Sequence, residues 1–468
     1  MTTDALVQVD ALGPAGAYRA RYREPVTDVT GRTVAEVGLV PDPYVARAMA
    51  ALRKGTTAPL EQRRAMLRTA AGLFGSATLL GLGPDDYQHL VSRVAGLGIT
   101  AVRASTEKIV ARCASAWEDA QAARPAGAVT GWRDPEARDG AALWSRRGDV
   151  FGVHAAGNHP SVHAAWIQAL ALGYRVAVRP SRKEPFTPAR LVAALREAGF
   201  GADAVVLLPT DHAVSATMLR LADLSMVYGG DAVIQRYGAD PTVLPQGPGR
   251  TKILLAADAD WRDHADLVDL VADSAARSGG AGCTNVTGVL VEGGADEARA
   301  FATALADRLA TLPVTHPEDD DAVLPVHPVA AARALETQLR SVAADAEPVG
   351  ATADSIVAEL GDGSAALRPA VHLLASAAAP QLGAELPFPC VWVAPWSRAG
   401  DGVAPLRGTL VLTALTNDDA LIDALAEERT IRNVYVGARP TWWADPRVPH
   451  DDYLAGFLME SRGIVSTA

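Results

Sequence analysis

Cys283 stands behind a run of small residues, Ser278-Gly-Gly-Ala-Gly-Cys283-Thr-Asn, just before the strand-like segment Val286-Thr-Gly-Val-Leu-Val-Glu292. A thiolate that attacks a carbonyl needs open access and a donor for the oxyanion that forms. The glycines clear that approach. Earlier in the chain lies Ala155-Ala-Gly-Asn158-His-Pro160. Asn158 offers a neutral amide N–H, which stabilises an oxyanion without being consumed. Taken singly, Cys283 could be an inert core cysteine and Asn158 a turn residue. The two segments make chemical sense together only if the fold joins them.

His154, His159 and His163 cluster beside Asn158. The i,i+4 spacing of His159 and His163 suits zinc on a helix, but Pro160 starts the helix and leaves His159 outside it. No glutamate sits between them, so the metalloprotease pattern is missing. No metal site is expected. Histidines lining a substrate or thiol channel fit better.

The 468 residues exceed one simple core, so two or three domains are expected. A net charge of −11 argues against nucleic-acid binding and against anionic membranes. Three scattered cysteines, Cys113, Cys283 and Cys390, form no disulfide framework and fit a reducing cytoplasm. The N-terminus has no basic head followed by an apolar run, and no segment reads as a membrane span. A cytoplasmic protein is expected.

Around the reactive segments the chain alternates. Residues 41–127 read as helical, with a long stretch from Asp85 to Ala123 broken near Gly96–Gly98. From Val150 onward, strands at Val150–His154, Tyr174–Arg179, Ala204–Leu208 and Leu224–Tyr228 alternate with helices at Ser161–Leu172, Pro188–Ala198 and Ala213–Ala222. That is the rhythm of a parallel, doubly wound sheet, whose ligands sit at the strands' carboxyl ends. A second alternation follows Cys283, with a strand Val286–Glu292, a helix Ala295–Ala310, strands at Cys390–Ala394, Leu410–Thr413 and Arg432–Val436, and a helix opened by Asn417. Leu312–Asp362 looks less regular. The expected division is 1–254 for a helical segment with a dinucleotide-binding domain, 255–437 for a catalytic domain, and 438–468 for a tail with Trp442, Trp443, Tyr453 and Phe457 that packs or contacts another subunit.

In this order the segments resemble the aldehyde dehydrogenase superfamily. Ala155–Pro160 looks like its oxyanion segment, and Val176-Ala-Val-Arg179-Pro-Ser181 like the strand end that holds the adenosine ribose. Val227-Tyr-Gly229-Gly230 looks like the turn under the pyrophosphate, and Gly280-Ala-Gly-Cys283-Thr like the nucleophile loop. Ala384-Glu385-Leu-Pro-Phe388 resembles the segment whose glutamate holds the nicotinamide ribose. The tail, Thr430–Gly437 and Val448–Leu454, looks closest to PaaN-type proteins associated with phenylacetate catabolism. Gly152–Asn158 is also similar to luciferase-linked acyl-CoA reductases. The resemblance implies an α/β fold of two doubly wound parallel-sheet domains plus a small oligomerisation element, and a homo-oligomer.

It also implies an oxidoreductase interconverting an aldehyde with an acyl thioester or acid through a covalent Cys283 intermediate. The substrate would be aromatic or CoA-linked, with coenzyme A as an acceptor. Where the family places a general base, Leu244-Pro-Gln246-Gly-Pro-Gly249 has Gln246, and an amide takes no proton from water. Either another residue activates water, or a thiol receives the acyl group. At the ribose position Arg179, Arg182 and Lys183 stand without the usual glutamate, although Glu184 could partly substitute. Three cations suit a 2′-phosphate, so NADP is expected, with NAD as the alternative. A rival reading keeps the fold and loses the chemistry: a degenerate binding or scaffold protein.

Overall fold

The computed structural model describes residues 6–350 and 355–465. Strands apolar along their whole length must be covered on both faces, and the chain solves this twice. The first sheet runs in space Val243–Gln246, Leu224–Tyr228, Val150–His154, Arg175–Arg179, Val205–Leu207, Ala11–Gly13 and Gly16–Tyr18. Its first five strands are parallel, whereas the N-terminal hairpin joins antiparallel, so the expected parallel sheet is mixed at one edge. Strand order reverses between Val150–His154 and Leu224–Tyr228. Ligands of such sheets bind at that reversal. The Asn158 segment and Gly229-Gly230 both leave the sheet there.

The second sheet runs Glu347–Val349, Ala370–Leu373, Cys390–Trp396, Val286–Glu292, Thr251–Leu255, Thr409–Leu415 and Ile431–Val436. All its pairings are parallel except that of the Glu347–Val349 edge. Trp392 and Trp396 fill its interior. Thr251–Leu255 spans the expected division at 254 and lies wholly in this sheet. A separate sheet pairs Ala141–Arg146 with Ala128–Val129 and with Met459–Ile464, so the tail ends as a strand far from its sequence neighbours.

The helical segment resolves into Asp42–Lys54, Leu60–Ser76, Pro84–Ala95 and Ile99–Ala120, with the expected break at 96–98. Two local expectations are corrected. Asp418, not Asn417, caps the helix Asp419–Glu427, because its carboxylate accepts from Leu421 N at 3.0 Å. Leu312–Asp362 contains a regular helix, Val329–Ala343, which buries Ala332, Leu339 and Ala343. Among the described residues no helix is long and apolar enough to cross a membrane.

Candidate active site

The helix Ala265–Ala276 ends in a turn that carries Ser278, Gly279 and Gly280 through left-handed backbone, φ 52°, 74° and 71°. Glycine is required at 280, where a Cβ would lie 2.5 Å from Pro389 N. This turn delivers Cys283 to the mouth of the second sheet. Three side chains then pin the loop. Asn285 accepts from Gly282 N at 2.8 Å and donates to Ser274 O and Arg277 O. Thr251 Oγ1 donates to Cys283 O at 2.8 Å, and Thr441 Oγ1 to Thr284 O at 2.6 Å.

The expected partners of Cys283 arrive from the first domain. Asn158 Nδ2 donates to Ala281 O at 2.8 Å, two residues from the nucleophile. The two separate segments therefore do meet. Gln246 ends the strand Val243–Gln246, and among the described residues its side chain reaches only its neighbour Pro245 O, at 3.5 Å. Three residues on, Gly249 backs onto the nucleophile so closely that a Cβ there would sit 1.8 Å from Cys283 O. Glu385 Oε1 accepts from Gly249 N at 3.1 Å and Arg250 N at 2.7 Å, holding that turn against the loop.

One partner was not anticipated as a site residue. His450 Nε2 lies 3.4 Å from Cys283 Sγ. His450 belongs to the tail segment read only for its resemblance, and 167 residues separate the pair. Lys108, on the helix Ile99–Ala120, also faces the cysteine. No spacing rule links it to either segment.

Cys283, Lys108, Glu385 and His450 all keep solvent-accessible surface, yet surrounding protein crowds them enough to shift their protonation. That combination describes a deep, open cleft. Desolvation, then the Glu385 and Asp451 carboxylates, push the Cys283 thiol up to about 11. Desolvation and then Lys108 push His450 down to about 4. At neutral pH the pair is a thiol facing a neutral imidazole.

The histidines beside Asn158 do not titrate near neutrality. Burial holds His154 and His163 down at about 3, and burial with Lys108 and Arg277 holds His159 at about 4. His163 Nδ1 accepts from Trp166 Nε1 at 3.1 Å, and His159 Nδ1 pairs with Ser161 Oγ at 2.7 Å. Among the described residues no group of three His, Cys, Asp or Glu gathers to hold a metal.

The strand ends above the reversal carry small residues and exposed backbone. Nothing lies within 4 Å of where a Gly230 Cβ would sit, and the helix Asp231–Tyr237 starts there. Gly157 approaches Ser181 so closely that a Cβ would meet Ser181 Oγ at 2.2 Å. Ser181 Oγ also accepts from Lys183 N at 3.2 Å. The nearby charges are mostly committed. Arg179 is buried and donates to Thr210 Oγ1 at 3.1 Å and Thr210 O at 3.2 Å. Arg182 Nη1 binds the Glu24 carboxylate at 2.8 Å. Glu184 does not stand in for a ribose ligand. It is buried and accepts from Phe186 N and Thr187 N, both at 2.8 Å, capping the helix Phe186–Glu197.

A family model described as "Aldehyde dehydrogenase family" matches residues 23–373. No curated protein matches the sequence significantly. Solved structures share the whole fold at low identity. A gamma-glutamyl-gamma-aminobutyraldehyde dehydrogenase from Burkholderia cenocepacia is 19% identical, with TM-score 0.82 over 99% of this chain and 98% of that one. An indole-3-acetaldehyde dehydrogenase in complex with NAD+ is 18% identical, with TM-score 0.80 over 99% and 98%. Lactaldehyde dehydrogenase from Escherichia coli is 15% identical, with TM-score 0.79 over 99% and 100%. With this family match over most of its length, and with Cys283 and Asn158 brought to one cleft between two sheets, the chain belongs to the aldehyde dehydrogenase family.

Proposed function

We propose that this protein oxidises an aldehyde, or reduces the matching acyl thioester, through covalent attack by Cys283. The observation that carries the reading is the joint placement of Asn158 and Gly249 on the Cys283 loop. Cys283 Sγ adds to the carbonyl carbon. Asn158 Nδ2 and the Cys283 backbone N–H stabilise the oxyanion. When bound, a nicotinamide coenzyme supplies the hydride acceptor. Gly229-Gly230, Ser181, Arg179, Arg182 and Glu385 are the residues proposed to hold it. NADP is the coenzyme this loop favours through Arg182 and Lys183, once a 2′-phosphate displaces Glu24 from Arg182. The acyl group then passes to water or to a thiol such as coenzyme A. Gln246 takes no proton from either.

Trp442, stacked under Arg277 at 4.2 Å, and Lys108 at the cleft support an aromatic or anionic substrate, including a CoA-linked one. The PaaN-type likeness of the tail points the same way. The sheet built from Ala128–Arg146 and Met459–Ile464 is the proposed homo-oligomer element. The scaffold alternative rests on Gln246 in place of the base and on the Gly229-Gly230 turn, and the meeting of Asn158 with the Cys283 loop counts against it. The deciding experiment is Cys283→Ala, with NADP(H) absorbance against aromatic and CoA-linked aldehydes and thioesters. Turnover should vanish, while NADPH should still raise the melting temperature, since it binds only the folded state. Retained turnover above a few per cent of native would end the nucleophile assignment.

A further inference from the structure

We propose that His450 is the catalytic base of this enzyme, acting through Nε2 on Cys283 and on the group that releases the acyl chain. The inference rests on Cys283 being the nucleophile and assigns the proton acceptor that Gln246 cannot be.

The geometry is direct. His450 Nε2 stands 3.4 Å from Cys283 Sγ, within reach of a thiol proton. Its position is held by the backbone and not by the ring. Asn433 Nδ2 donates both to Leu410 O, at 2.9 Å, and to His450 O. Upstream, Thr441 is tied to Thr284, and Trp442 Nε1 donates to Asp273 at 2.7 Å. Downstream, the chain enters the strand Met459–Ile464. The segment from Thr441 to Leu458 is thus a strap drawn across the cleft between two fixed points, with His450 on it.

The surroundings hold both partners neutral at rest. The Lys108 ammonium acts on both the imidazole and the thiol, and the Glu385 and Asp451 carboxylates act on the thiol. Burial and then Lys108 keep the imidazole neutral, which leaves its lone pair free but makes it a weak base, so the thiol proton must move to Nε2 as the Sγ–C bond forms and not before it. The thiol is held protonated, so attack without a base would be slow.

The protons balance as follows. In attack, the Sγ–C bond forms, the carbonyl π pair moves to oxygen, and the thiol proton passes to His450 Nε2. In the oxidative direction the adduct would become the thioester by giving its hydride to the nicotinamide coenzyme, the oxidant of the proposed reaction, and His450 then gives its proton to solvent. In release, water or a thiol adds to the thioester carbon, and its proton passes to Nε2. The tetrahedral adduct then collapses, the C–Sγ bond breaks, and His450 returns the proton to the leaving sulfur. The products are an acid or a new thioester and the original Cys283 thiol.

The test compares native protein with His450→Gln and His450→Ala. One readout needs no turnover: the rate at which iodoacetamide alkylates Cys283 at pH 7, followed by peptide mass. Cys113 and Cys390 are buried and should react slowly. Alkylation should slow at least tenfold in both variants, and the pre-steady-state burst of NADPH should slow by about 10²-fold. Added imidazole should restore part of the burst in His450→Ala, where the ring's space is vacated, but not in His450→Gln. A merely structural role would not give that rescue. Native-like melting temperatures show that the variants fold. Alkylation and burst rates within twofold of native would overturn the proposal. If instead Cys283→Ala stays active, the nucleophile reading fails, while the alkylation rates still decide whether His450 acts on this thiol.

Discussion

The strand-end loop Arg179–Phe186 and the Cys283 cleft carry similar charged groups and use them in opposite ways. In the loop, the charges are largely satisfied from within the protein. Arg179 is spent on Thr210, Arg182 on Glu24, and Glu184 on two helix-terminal N–H groups. In the cleft, Cys283, His450 and Lys108 come from three distant segments and lean on one another without a closed network. A buried, self-satisfied group adds to stability and orders the backbone. A group shifted from its ordinary protonation by its neighbours, and still open to solvent, is available for chemistry. Polar residues beside a motif therefore divide by partner and not by type.

The comparison can be broken most easily at the cleft. Asn158→Ala removes the proposed oxyanion donor and its hold on Ala281 O. Acylation measured in single-turnover kinetics should slow by about 10²–10³-fold, the usual cost of losing one such donor. Coenzyme affinity should barely change. An unaltered acylation rate would move Asn158 out of the chemistry and leave it a loop tether.

Much of the cleft was readable in the sequence because its two walls are local signals. A glycine-flanked cysteine and a Gly-Asn-His-Pro turn each announce themselves, and each sits next to a strand with clear β-rich texture. The parallel alternation after Val150 was equally plain, since strands such as Leu224–Tyr228 and Val286–Glu292 are mostly apolar and are buried up to their last residue. What could not be read is what tertiary path decides. His450 and Lys108 reach Cys283 only because a strap and a long helix cross the cleft, and no periodicity encodes that. The Glu24–Arg182 pair joins an N-terminal strand to a loop 158 residues away. Glu184 misled because a carboxylate near a strand end serves a ribose or a helix terminus equally well, and burial alone separates them. Of the three histidines beside Asn158, His154 and His163 are buried in the same way, which their sequence neighbours do not announce.

The loop side of the comparison can be sharpened through its one exposed ion pair. Arg182 and Glu24 are both accessible enough to exchange partners with a ligand phosphate. Glu24→Gln frees the guanidinium, so NADPH should bind severalfold tighter while NADH changes little. Arg182→Glu should weaken NADPH by tenfold or more, again with little change for NADH. Calorimetric titration reads both. Tighter NAD than NADP binding by the native protein would overturn the preference. An unchanged NADPH affinity in Glu24→Gln would show that Arg182 does not meet the 2′-phosphate.

The smallest effect concerns His163, which sits close in sequence to Asn158 yet belongs to the core. It is fully buried, and desolvation alone holds it down at about 3. In the unfolded chain an ordinary histidine binds a proton near pH 6.5. Between those values the unfolded state carries the proton and the folded state does not. Stability from this group is therefore complete above about pH 6.5 and is lost as pH falls toward the folded value. The slope is about 1.4 kcal/mol per pH unit for one proton. His154, held down at about 3 by burial and Arg179, contributes in the same direction. His163→Asn should lower the melting temperature at pH 7, since Trp166 loses its acceptor. It should also flatten the decline in stability between pH 6.5 and pH 5, while Cys283 alkylation at pH 7 stays native-like. Chemical denaturation across that pH range measures the slope. A variant with the native slope but slowed alkylation would place His163 with His450 in the chemistry, and the division between the two kinds of polar residue would fail at that position.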